Sequence, residues 1–125
     1  MQDQGDTAVK GYVDAMVSAL EEKQAEDIEV LYISDLTTIA DYFVVCTGTS
    51  TTHIKTLSEE VESLMEKNYQ VRPHHIEGYE HANWILVDYG FAVVHIFHRD
   101  TRKFYSLERL WADAPKYAKE ADIRE

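Results

Sequence analysis

A single mixed α/β (α+β) domain, one sheet with helices packed on it, is the fold this sequence predicts, and three observations carry the prediction. The hydrophobic period switches repeatedly between 3.6 and 2 along 125 residues, so helices and strands interleave in a short chain. A nearly unbroken apolar run, Tyr42-Phe43-Val44-Val45-Cys46, has the character of a strand covered on both faces. Two further apolar segments flank Tyr89-Gly90, the pattern of an antiparallel hairpin. Hydrophobic residues make up 45% and charged residues 28%, the balance of a chain that buries its own core rather than staying disordered. Residues 1–125 are therefore read as one domain, with 115–125 a charged tail.

The elements follow in order. Val9, Val13, Met16, Val17 and Leu20 recur at helical spacing, which predicts a helix from Asp6 to about Lys23, capped by Asp6 or Thr7 and acidic on its outer face. Asp27 to Ile33 alternates, with Ile28, Val30 and Tyr32 on one side and Leu31 and Ile33 on the other, so it reads as a strand. Ser34–Thr38 turns the chain into the run Ile39 to Cys46, expected at the middle of the sheet. After Thr47–Thr52, Ile54, Leu57, Val61, Leu64 and Met65 share one helical face opposite Glu59, Glu60, Glu62 and Glu66. Tyr69 to Gly78 is a strand candidate whose Pro73 lacks a backbone donor, which points to an edge position or an interruption. Asn83–Asp88 and Phe91–His98 form the hairpin, because Gly90 accepts the positive backbone angle of a tight turn. From Arg99 to Trp111 the period is helical again, with Ser106 as a cap. Two strands, a helix and three strands give five strands in one mixed sheet.

Charge narrows the function. Twelve Lys and Arg against 23 Asp and Glu give a net charge of −11, which repels nucleic acid and attracts basic proteins. The exception is local: Arg99, Arg102, Lys103 and Arg109 fall within eleven residues and leave room for a minor phosphate contact. No apolar run approaches the roughly 20 residues of a membrane helix. The acidic start lacks the basic and apolar regions of a secretory signal, and the single Cys46 fits a reducing compartment, so the expected location is the cytoplasm.

Catalytic chemistry finds little support. His95 and His98 stand an odd number apart in a strand and face opposite sides, and no Cys cluster or helical His pair completes a metal site, so no metal or cofactor is expected. The stretch "VVCTGTSTTHIK" is strand, glycine turn and helix, the opening of many nucleotidyl-transfer sites, yet it lacks the second glycine and Gly-Lys-Ser/Thr ending of a phosphate loop. A nucleotidyltransferase-like enzyme acting at Gly48–Ser50 is the alternative function. Its metal-binding carboxylate pair is missing: no Asp-x-Asp or Asp-x-Glu follows in a strand, and Asp88 stands alone.

The remaining signal is aromatic. Trp84, Tyr89, Phe91, Phe97, Phe104, Tyr105 and Trp111 lie within 28 residues, more than a two-helix cover readily buries. Phe91, Phe104 and Trp111 are assigned to the core, whereas Trp84, Tyr89 and Tyr105, beside polar neighbours, are candidates for a protein-binding face.

The same segment, "WILVDYGFAVVHIFHRDTRKFYSLERLW", resembles the Iojap family of ribosomal silencing factors, as do "TTIADYFVVCTGTSTTHIK" and Glu77-Gly78 upstream. The resemblance spans about Asp27 to Trp111; Phe91 departs from the acidic residue that often follows the glycine. It implies a factor without enzymatic activity that binds the large ribosomal subunit through ribosomal protein L fourteen. There it would block joining of the small subunit and repress translation under nutrient limitation. The family fold is a nucleotidyltransferase-like scaffold, a mixed five-stranded sheet flanked by helices, and some members are homodimers when free. Matched to the family motifs, Trp84 is the expected interface anchor and Asp88 and Tyr89 form the hairpin tip. His98, Tyr105, Glu108 and Arg109 extend the surface, with the cationic stretch available for a minor rRNA contact, while Leu107, Leu110 and Trp111 secure the last helix.

Overall fold

The computed structural model describes residues 2–34 and 40–104. Helix α1 (Gln2–Glu22) leads into β1 (Glu26–Tyr32) and β2 (Tyr42–Gly48), then α2 (Thr51–Tyr69), β3 (His75–Glu77), β4 (Trp84–Asp88), β5 (Ala92–His98) and α3 (Arg99–Phe104). The five strands form one sheet in the order β1-β2-β5-β4-β3. The β2/β5 pair is parallel and the other three pairs are antiparallel, so the sheet is mixed as expected.

Alternation decides which residue faces which layer. Ile28, Val30 and Tyr32 of β1 join the core under α1 and α2, whereas Leu31 and Ile33 join a second core on the opposite face. Val13, Met16, Val17 and Leu20 of α1 and Ile54, Leu57, Val61 and Met65 of α2 meet Val44, Ile85, Val94 and Ile96 of the sheet. Each aliphatic side chain withdrawn from water there contributes about 1.5–3 kcal/mol. Every residue of β2 is buried, as its apolar run predicts. The middle strand, however, is β5, whose neighbours β2 and β4 lie on its two sides, so β2 is interior without being central.

Element ends depart from expectation for local reasons. Helix α1 begins at Gln2, which places Asp6 and Thr7 inside it rather than at its cap. It closes in a left-handed Gln24 at φ 66°, with Ala25 N–H donating to Leu20 O at 2.9 Å and Gln24 N–H to Glu21 O at 2.9 Å. Helix α2 ends likewise at Gln70, φ 57°, whose N–H donates to Glu66 O at 3.0 Å. Pro73 precedes β3, which is a three-residue edge strand.

Candidate functional site

On the sheet face away from α1 and α2, the pleat aligns Trp84, Leu86 and Asp88 of β4 with Val93, His95 and Phe97 of β5 and Phe43, Val45 and Thr47 of β2. Trp84 is paired with Phe97, Leu86 with His95, and Asp88 with Val93; across β5, Val45 is paired with His95 and Thr47 with Phe97. The result is a layer of rings. Trp84 stacks on Phe97 with centroids 4.7 Å apart, and Phe43 meets His95 edge to face at 4.7 Å. The Trp84 indole N–H donates to His95 Nδ1 at 3.1 Å. His95 is only 4% exposed, and that burial pushes its pKa down to about 4, so the ring is neutral at physiological pH.

Trp84 also has a surface aspect. With Glu77, Gly78 and Leu86 it lines a depression of about 210 Å³. The connection from β3 can lie this close only because residue 78 is glycine: its φ is 81°, and a Cβ would fall 2.2 Å from the Trp84 carbonyl oxygen. Asn83 O accepts the His98 N–H at 2.8 Å, fixing the start of β4. Glu77 brings one carboxylate to the hollow, and His75 sits between it and Asp88. Glu77 Oε2 lies 3.2 Å from His75 Nε2, and Asp88 Oδ2 lies 3.7 Å from His75 Nδ1.

The expected interface residues therefore divide. Trp84 and Asp88 share a face, Asp88 also accepting the Gly90 N–H at 2.8 Å and so closing the hairpin turn. Tyr89 is corrected: it is 3% exposed, one residue past Asp88 and hence turned to the helix side, where it packs against Phe91 in the main core. Its ring offers no surface to a partner. His98 falls on the pleat opposite Trp84, and its Nδ1 accepts the Asp100 N–H at 3.3 Å. Tyr105, Glu108 and Arg109, with Leu107, Leu110, Trp111 and the Ser106 cap, lie outside the described residues. Phe91 packs against Tyr12 at 5.5 Å and belongs with the core, as assigned.

Leu86 and His95 are the site residues that sequence reasoning missed. The signal was present: counting by twos from Trp84 reaches Leu86, and counting by twos back from Phe97 reaches His95.

The Gly48–Ser50 turn is occupied by its own structure. Ser50 Oγ accepts the His53 N–H at 3.0 Å as the cap of α2, and a side chain on residue 48 would run into Ile54. Thr49 N–H donates to His53 Nδ1 at 2.9 Å, while His53 Nε2 donates to Lys23 O at 2.8 Å, tying α2 to the end of α1. A hollow of about 350 Å³ nearby is lined by Glu26, Asp27, Thr47, Arg99, Asp100 and Arg102. Its cations are engaged within the fold: Arg99 grips Glu26 at 3.0 and 2.8 Å, and Arg102 donates to Thr47 Oγ1 at 2.8 Å and to the Asp27 carbonyl at the β1 bulge. Among the described residues no group of three His, Cys, Asp or Glu side chains is arranged to hold a metal ion. Cys46 is buried, which pushes its thiol up to about 12 and leaves it a small hydrophobe rather than a nucleophile. No helix of the described residues is long and apolar enough to cross a membrane.

Comparison with known proteins agrees with the sequence motifs. The family model described as "Ribosomal silencing factor during starvation" matches residues 6–125. The chain is 38% identical over 106 residues to ribosomal silencing factor RsfS of Bacillus subtilis, covering 85% of this chain and 89% of that protein. It is 36% identical to a mouse protein named "Mitochondrial assembly of ribosomal large subunit protein 1", over 79% of this chain and 44% of the mouse chain. A crystal structure of a Chromobacterium violaceum protein superposes with a TM-score of 0.79 at 31% identity, covering 88% of this chain and 90% of the other. Motifs, sheet topology and the match across nearly the whole length converge on one conclusion: the chain belongs to the ribosomal silencing factor family.

Proposed function

We propose that this chain binds the large ribosomal subunit through ribosomal protein L fourteen and sterically blocks joining of the small subunit, repressing translation in the cytoplasm when nutrients are limiting. Family membership over residues 6–125 is the observation that carries the reading. A partly buried tryptophan lining a surface hollow with Leu86 and Glu77 supports it, because tryptophan is among the residues that most often dominate a binding interface. A net charge of −11 suits a basic ribosomal partner and speeds the encounter electrostatically. Trp84 is the anchor, Leu86 its apolar neighbour, and Glu77 and Asp88 the carboxylates beside them; Tyr105, Glu108 and Arg109 extend the contact, and a homodimer forms in the free state. Nucleotidyl transfer at Gly48–Ser50 is not supported, since the turn's polar groups already serve as cap and clamp.

The test is co-sedimentation with isolated large subunits together with a subunit-association assay at physiological salt. Trp84→Ala is expected to weaken binding by about 2 kcal/mol or more, roughly thirtyfold in Kd, and to restore subunit joining. Unchanged binding would place the interface elsewhere.

A further inference from the structure

Residue 95 occupies the middle strand, 4% exposed, between Leu86 and Val45. A hydrocarbon would fill that position at less cost. Because His95 Nδ1 accepts the Trp84 N–H, the neutral ring must carry its proton on Nε2, and Nε2 is buried with no acceptor. An unmade buried hydrogen bond is a standing penalty. What the imidazole supplies and leucine or phenylalanine cannot is one acceptor aimed at the indole. Its aim is set by neighbours: Phe43 meets the ring edge to face at 4.7 Å, and Phe97 lies nearly parallel to it, 14° between planes. Phe97 also stacks under Trp84, so the indole is held by its face and by its N–H together.

We infer that His95 is a positioning residue for Trp84: it draws the indole N–H inward, fixes the ring's orientation over Phe97, and leaves ring carbons to line the hollow formed with Glu77, Gly78 and Leu86. The inference rests on Trp84 being the anchor and adds how that anchor is presented. A partner then meets an apolar slab beside a carboxylate and does not compete for the indole N–H. Holding the ring in place before contact removes part of the ordering cost of association.

Nitrogen-15 spectra of the free protein test the positioning without a partner. The Trp84 indole signal is identified by its loss in Trp84→Phe. Its exchange with solvent is expected to be slower in the natural protein than in His95→Leu by about tenfold or more, and to stay slow in His95→Asn, whose side-chain oxygen lies near the place of Nδ1. Large-subunit binding should weaken about tenfold in His95→Leu, the value of one neutral hydrogen bond, and recover most of that loss in His95→Asn. Equal exchange rates in the natural protein and His95→Leu, or equal affinities of those two where Trp84→Ala loses binding, would overturn the inference. Should His95→Leu fail to fold, an indole in the natural protein exchanging as fast as free indole overturns it alone. Retained binding by Trp84→Ala, with the Trp84 indole protected in the natural protein, would instead strike only the anchor reading.

Discussion

On the helix side of the sheet, Leu57, Val61, Val44, Val94 and Ile96 form a chiefly aliphatic core; on the other side, Trp84, Phe43, Phe97 and the imidazole of His95 interlock with Leu31 and Val45. Aliphatic groups exchange for one another at modest cost provided volume is kept. A ring layer containing a directed hydrogen bond and an unmade donor tolerates much less. The first face answers to stability alone. The second gives up some stability to hold a particular indole in a particular orientation.

Leu57→Ala should break the first face most severely. Leu57 is fully buried, and its truncation leaves a cavity costing about 2–5 kcal/mol, read by urea unfolding followed through tryptophan fluorescence. Large-subunit affinity of the protein that stays folded should be unchanged. A parallel loss of affinity would mean the two faces are not separable.

Acid should strike the second face. The His95 pKa is held near 4 in the folded chain against 6.5 unfolded, and burial is the cause. Between those values the unfolded state binds more protons, so stability rises with pH. The contribution is complete above about pH 6.5 and is lost as pH falls through the folded value near 4. The loss is on the order of 3 kcal/mol. Subtracting the unfolding curve of His95→Asn, which shares the remaining carboxylates and histidines, isolates it. Coincident pH profiles for the two proteins would show that His95 is not held neutral by the fold.

Much of this contrast could be read in the sequence, because alternation is a strong signal. Leu31 and Ile33 separate from Val30 and Tyr32 by counting in twos, and the hairpin around Gly90 follows from its flanking strands. Tyr89 was misplaced because its polar neighbours suggested surface, whereas its parity turns it beneath the helices. His95 was weighed only as a metal ligand; its bond to Trp84 depends on register between two strands, which one strand's pattern does not reveal. Helix ends were blurred for another reason. Both long helices close on a left-handed glutamine, Gln24 and Gln70, where no glycine marks the stop.

The smallest expected effect lies at the turn whose sequence most suggested catalysis. Ser50 Oγ accepts the His53 N–H, satisfying one of the donors a helix start leaves unpaired, and its backbone is extended at φ −153° as a cap requires. Ser50→Ala should therefore cost about 1 kcal/mol, measured by urea unfolding, and Ser50→Asp should restore most of it, since a carboxylate caps as well and suits the positive end of the dipole. Both variants should bind large subunits as the natural protein does, because the turn opens α2, which packs on the face opposite Trp84. A loss of ribosome binding in Ser50→Ala beyond its loss of stability would give this turn a role in contact, and the division of labour between the two faces would have to be redrawn.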